Sequence, residues 1–139
     1  TKVSGNALLS DYAQVYGNAL VFDNALVFGN AKVYGNALVF DNALVSDNAL
    51  VFGNAKVSGN AQVYGNAQVS KTPVRISGSD GYDFIIVPCS DGKDRIIAGC
   101  RYFTLEEADE HWNRDHKMYA ETTIIIEALK KLYELQKNP

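Results

Sequence analysis

Residues 15–45 read V-Y-G-N-A-L-V-F-D-N-A-L-V-F-G-N-A-K-V-Y-G-N-A-L-V-F-D-N-A-L-V, five copies of one six-residue phrase, V-x-G/D-N-A-x, closed by a sixth valine. The phrase runs outward in both directions, from residue 3 to residue 69. Valine returns at 3, 15, 21, 27, 33, 39, 45, 51, 57, 63 and 69, with Leu9 in the gap. Alanine returns from Ala7 to Ala67, and Asn precedes each alanine except Ala13, which follows Tyr12. A period of six fits neither an α-helix nor a hairpin. It fits a coil in which short strands alternate with tight turns. In Ala19-Leu20-Val21-Phe22, the alternation of a strand sends Ala19 and Val21 to one side and Leu20 and Phe22 to the other. Asp23-Asn24 then makes a corner, with Asn as the residue that tolerates the left-handed conformation. A Gly or Asp before it belongs to the same turn chemistry. Inside the coil, the small Ala fits near a corner and the larger Val fills the centre. Three strands close a triangular coil of eighteen residues, and twelve hexads make about four coils. At the ~4.8 Å strand spacing the resulting prism is about 19 Å tall.

The phrase V-Y-G-N-A-L resembles the hexapeptide repeat (L/I/V)-x-x-x-(S/T/A/V)-x of left-handed parallel β-helix proteins, over residues 1–70. It departs at the second position, where that family often has Gly, Ala, Asp or Glu and this chain has Ser, Phe or Tyr. The left hand is implied by the resemblance; topology rules alone favour right-handed crossovers. The expected fold is mainly β: a left-handed parallel β-helix over residues 1–72, a linker over 73–81, and a small α+β domain of ββαα order over 82–139.

Phasing by eighteen assigns each outward side chain to a face. One face shows Leu20, Phe22, Leu38 and Phe40, bounded by Lys2 and Lys56. A second shows Leu8, Leu26, Phe28, Leu44 and Tyr64. The third is wetter, with Gln14, Tyr16, Lys32, Tyr34, Leu50, Phe52 and Gln68. Soluble monomers rarely expose apolar patches as large as the first two. Leu20, Phe22, Leu38, Phe40, Leu26, Phe28 and Leu44 are therefore the expected contacts with identical prisms, and the resemblance implies a trimer.

Beyond Ser70 the composition changes. Lys71-Thr72-Pro73 ends the repeat, because proline cannot continue an interior ladder. Ser77–Gly81 reads as linker. Tyr82–Pro88 and Arg95–Tyr102 read as strands joined by the turn Ser90–Asp94. Thr104-Leu105-Glu106-Glu107 has the form of a capping box and opens a helix to about Asn113. A second helix is expected over Met118–Gln136, with Ile125, Leu129 and Leu132, flanked by Ile126 and Tyr133, as its apolar stripe. Such a unit can cap the open end of the prism, whose last coil otherwise presents an unpaired edge. The string Ala98-Gly99-Cys100-Arg101-Tyr102-Phe103-Thr104-Leu105-Glu106-Glu107-Ala108, followed by His111-Trp112, resembles a small domain that follows such repeats in uncharacterised bacterial and phage proteins. That resemblance implies a phage or prophage source.

Net charge is −3 over 139 residues, without a clustered basic face. This argues against nucleic acid and against a polybasic membrane contact. No apolar run approaches the ~20 residues that span a bilayer, and no signal peptide is expected. Cys89 and Cys100 are expected to be several residues apart along the hairpin ladder, as free thiols in a reducing compartment. A cytoplasmic location follows, the host cytoplasm for a phage protein, with a virion as the alternative.

The residues that could carry chemistry are sparse. Residues 1–70 hold no His, no Cys and no inserted loop. The acyltransferases and γ-class carbonic anhydrases built on this fold need histidines in or beside the coils. His111 and His116 are five apart, whereas a two-His helical metal site wants four. Neither cysteine has a C-x-x-C partner. No catalytic residue, metal or cofactor is expected. The expectation is a non-catalytic homo-oligomer that binds a macromolecular target, such as a host-defence component, through its cap or an outer face. Three alternatives stand beside it. One is a sponge for a small anionic, nucleotide-like signal held between protomers, with Arg95, Arg101, Tyr102, His111 and Trp112 as candidate contacts through charge and stacking. Another is a rigid spacer in a virion or surface assembly. The last is a hexapeptide-type acyltransferase.

Overall fold

The computed structural model describes residues 2–79, 81–112 and 120–137. The repeat forms twelve two-residue strands: β1 (Lys2–Val3), β2 (Leu8–Leu9), β3 (Gln14–Val15), β4 (Leu20–Val21), β5 (Leu26–Val27), β6 (Lys32–Val33), β7 (Leu38–Val39), β8 (Leu44–Val45), β9 (Leu50–Val51), β10 (Lys56–Val57), β11 (Gln62–Val63) and β12 (Gln68–Val69). They stack as three parallel four-stranded sheets, β1-β4-β7-β10, β11-β8-β5-β2 and β12-β9-β6-β3. The register steps by eighteen residues, Leu20 opposite Leu38 and Val21 opposite Val39. The chain is thus a parallel β-solenoid of about four coils. Its interior is the Val and Ala ranks, buried to 2% exposure or less from Ala19 to Val69. The first coil is the open edge, where Val3 and Leu9 stay 38% and 41% exposed.

The corners correct one expectation. The residue with positive φ is the Gly or Asp before the Asn, not the Asn itself; Asp11, Asp23, Asp41 and Asp47 have φ between 56° and 59°. Each of these carboxylates accepts a backbone N–H from the coil above, as Asp41 does from Gly59 at 3.0 Å and Asp47 from Gly65 at 3.1 Å. The Asn side chains instead form ladders between coils, Asn6 donating to Asn24 at 3.1 Å and Asn18 to Asn36 at 3.3 Å.

After the solenoid comes an antiparallel meander, β13 (Arg75–Ser77), β14 (Asp83–Pro88), β15 (Asp94–Ala98) and β16 (Arg101–Thr104), then helices α1 (Leu105–Trp112) and α2 (Ala120–Lys137). Residues 75–77, expected in the linker, are a strand, with Ser77 opposite Asp83. The strand expected over Arg95–Tyr102 breaks at Gly99, whose φ is 58°, so that its two halves pair with each other. Ala98 lies opposite Phe84. Both thiols are free; Cys89 is buried and bridges to Ala67, while Cys100 is exposed in the turn. The capping box forms as expected, Glu107 accepting from the Thr104 N–H at 2.8 Å and Thr104 from the Glu107 N–H at 3.2 Å. The expected helix limits Asn113 and Met118, and His116, lie outside the described residues.

The sheet is a middle layer. Ile85, Val87, Cys89 and Ile97 point down and join the solenoid core. Phe84, Ile86, Ile96 and Ala98 point up and pack with Ala108 and Trp112 of α1 and Ile125, Ile126, Leu129 and Tyr133 of α2. Alternation along β14 thus feeds two cores, and five of its six residues are buried. Leu132, expected in the buried stripe of α2, is 45% exposed.

Candidate functional site

Two regions concentrate the distinctive side chains: the outer ranks of the shaft and the joint between shaft and cap. On the shaft, Leu20 and Leu38 stack in one sheet and Leu8, Leu26 and Leu44 in the next. Phe22 and Phe40 lie parallel with centroids 5.0 Å apart. Tyr16, Tyr34 and Phe52 make a longer ladder at 5.0 and 5.2 Å. The seven expected interface residues therefore all lie outside the core. Leu20 is exposed; Phe22, Leu26, Phe28, Leu38, Phe40 and Leu44 are half-buried, because each side chain covers its neighbour eighteen residues away. The most exposed apolar groups of the shaft are in its first coil, Leu8 at 62% and Tyr12 at 82%.

At the joint, the meander sets β15 and β16 over the last coil, and two of the expected binding residues become clamps. Tyr102 donates to the Asn66 side-chain oxygen and accepts the Asn66 N–H at 3.1 Å. Its hydroxyl also lies 3.4 Å from the Cys89 sulfur. Arg95 holds Asp91 through two bonds, at 3.0 and 2.7 Å, reaches Asn66 at 3.3 Å, and stacks 5.1 Å from the Tyr102 ring. The Arg95 hydrogen bond draws the Asp91 carboxyl down to about 2. Burial pushes the Tyr102 phenol up. Tyr64, on the outer face of the last coil, donates to the Gly99 and Arg101 carbonyls, and burial raises its phenol to about 12.

A second clamp escaped sequence reasoning. Asp83 opens β14 with its side chain 2% exposed. It accepts from the Arg75 guanidinium at 3.0 Å, the Ser77 hydroxyl and the Asn60 N–H at 2.8 Å. The signal was an acid at the mouth of the apolar run Phe84–Val87, a place where a buried charge must find partners.

The remaining candidates do not converge with these. Trp112 is core, 6% exposed, against Phe84 and Phe103. His111 packs on Phe103 at 4.9 Å and on Trp112. Arg101 is exposed, and two acids near it in sequence have other roles: Asp109 binds Lys130 at 2.6 Å and Glu107 caps α1.

Two concavities bear on ligand binding, the first at the joint and the second along one corner of the shaft. One, of about 250 Å³, lies between Val69, Pro73, Val87 and Tyr133, with Lys71 and Lys137 at its rim. Both ammonium groups are already engaged, Lys71 with the Gln136 carbonyl at 3.5 Å and Lys137 with Asp94 at 3.4 Å. The other, of about 480 Å³, is an open groove along the corner Asn6-Asn24-Asn42-Asn60, with Asp23 and Asp41 beside it. Its carboxylates are used by the backbone of the next coil. Among the described residues no three His, Cys, Asp or Glu side chains come together to hold a metal ion. No helix among them is long and apolar enough to cross a membrane.

A rigid three-sided shaft with periodic outer ranks and a sheet-and-helix cap defines a β-solenoid protein. Consistent with this, a family model of the YdcK β-solenoid repeat matches residues 13–29 and 31–47, all within the shaft. Neither the curated proteins nor the solved structures give a match to the chain.

Proposed function

We propose that this chain is a non-catalytic, self-associating scaffold, assembled through the apolar ranks of its shaft into a homo-oligomer, with a trimer as the expected order. The observation that carries the reading is the division of labour among side chains. Outward positions of the shaft carry stacked Leu, Phe and Tyr in register over successive coils. The polar groups that could do chemistry are instead spent on holding coils and cap together: Asp41, Asp47, Asp83, Arg95 and Tyr102 all bond within the fold. Covering the ranks against a second shaft removes apolar area at about 25 cal/mol per Å². The several side chains on each face then favour association by several kcal/mol before the costs of association.

The test is sedimentation velocity of the wild type and of Phe22→Asp/Phe40→Asp. Both residues are outside the Val and Ala core, so the variant is expected to keep the solenoid fold and to melt somewhat lower, from loss of the stacked rings and the two apposed carboxylates. The wild type is expected to sediment as an oligomer and the variant at lower mass. A wild type that stays monomeric at high micromolar concentration overturns the reading.

A further inference from the structure

We propose that helix α2 carries a second association surface, whose partner is the same helix of another copy running antiparallel to it. This goes beyond assembly through the shaft and does not depend on it. The helix has two apolar stripes. One, formed by Ile125, Ile126, Leu129 and Tyr133, is buried on the sheet. The other is turned away from it: Ile124 is 67% exposed, Leu135 67% and Leu132 45%. At about 100° per residue, Ile124, Ala128 and Leu135 fall within about 40° of one another, with Leu132 about 40° further round. A surface helix ordinarily shows one apolar stripe and a polar opposite side. The second stripe spans three turns, and the small Ala128 at its middle permits close approach of another helix.

The flanking charges select the partner and its direction. Lys130 and Lys137, nearer the buried side, pair with Asp109 and Asp94. Glu127 and Lys131 border the exposed stripe on one flank and form no ion pair among the described residues. The stripe from Ile124 to Leu135 is centred between Leu129 and Lys130. A two-fold axis through that point, with the helices antiparallel, sets Lys131 of each copy against Glu127 of the other, twice. In a parallel pair this flank would instead meet the flank of Glu121, Leu132 and Gln136, whose one acid among the described residues is held by Ser79 and lies more than a turn along the axis from Glu127 and Lys131. The surface is thus complementary to itself in one orientation. Three large side chains cover far less than the ~800 Å² per partner of a standard interface. The expected dimer is therefore weak and concentration-dependent.

Sedimentation velocity over a concentration series tests this in the Phe22→Asp/Phe40→Asp background, which places charge on one of the two apolar shaft faces. The expected result is a monomer–dimer equilibrium. Ile124→Glu/Leu135→Glu abolishes it, Glu127→Lys weakens it several-fold, and Glu127→Lys/Lys131→Glu restores it. In the chain with a native shaft, Ile124→Glu/Leu135→Glu halves the assembled mass, which keeps the test open if the shaft variant folds poorly. Unchanged mass in both backgrounds, or a charge swap that fails to restore the dimer, overturns the proposal. Failure of the shaft reading shows separately, as a Phe22→Asp/Phe40→Asp mass equal to that of the wild type.

Discussion

Asp83 shows how much of this molecule turns on single polar residues. Burial pushes its carboxyl up, but the bonds from Ser77, Arg75 and the Asn60 N–H outweigh that and leave it below the ordinary carboxylate range. Its charged form is therefore favoured in the folded chain. The stabilisation is present above the unfolded value of about 4 and is lost as pH falls through the lowered folded value. Asp83→Asn keeps the shape and loses the charge, which costs about 2 kcal/mol at neutral pH, the scale of hydrogen bonds to a charged group. Urea denaturation at pH 7 and pH 3 checks this. The variant is expected to be the weaker at pH 7, and the gap to narrow at pH 3. Equal stability at pH 7 would show that the clamp contributes nothing. The corner acids teach a related lesson. Asn and Asp both tolerate the left-handed region, so the pair Asp-Asn alone does not say which residue occupies it. The fold assigns it to Asp, because there the carboxylate reaches the N–H of the next coil.

Among the elements, the hexad is the most constrained. At its third position the backbone of one coil lies almost on the next. Gly53, at φ 62°, leaves room for no side chain: an added Cβ would stand 2.7 Å from the Ser70 carbonyl oxygen. Gly53→Ala is expected to cost about 2 kcal/mol or more, from the left-handed penalty of about 1–2 kcal/mol plus the displaced strand end. Gly17→Ala, where the nearest atom is at 3.1 Å, is expected to cost less. Thermal melts of the two variants order them, and the reverse order would mean that the last coil yields more readily than the inner ones. Strand, corner and inward rank were legible because each hexad states them and eleven others repeat the statement. The capping box of α1 was legible for the same local reason, since Thr104 and Glu107 meet within one turn. The break at Gly99 was not: Ile96–Tyr102 has the composition of one strand, and only pairing of its two halves shows the turn.

At the scale of the molecule, the core does not end where the repeat ends. Ile85, Val87, Cys89 and Ile97 of the cap belong to the same buried cluster as the Val and Ala ranks. Shaft and cap are thus expected to unfold in one transition. Ile97→Ala, at a site 1% exposed, should lower that transition as a whole by about 2–5 kcal/mol. Two well-separated transitions in the wild type, by calorimetry, would show that the cap is an independent unit. The joint also explains why the candidate contacts read from sequence dispersed. Arg95 and Tyr102 went to the clamp and Trp112 to the upper core, while Arg101 stayed on the surface. Arginine and aromatic residues serve ligands and cores by the same forces, and their surroundings, which are non-local, decide between the two.

The sequence by itself determined the shaft: its period, its triangular section, its inward ranks and the identity of every outward residue. It could do so because each contact there repeats a local pattern, and neighbours in space stand a fixed eighteen residues apart. Tertiary structure decided how the cap is put together. That Arg75–Ser77 joins the sheet, that β14 divides its faces between two cores, and that α2 keeps a second apolar stripe uncovered all depend on partners at irregular separations. No period announces such partners; the burial of Asp83 and the closure of the last coil select them.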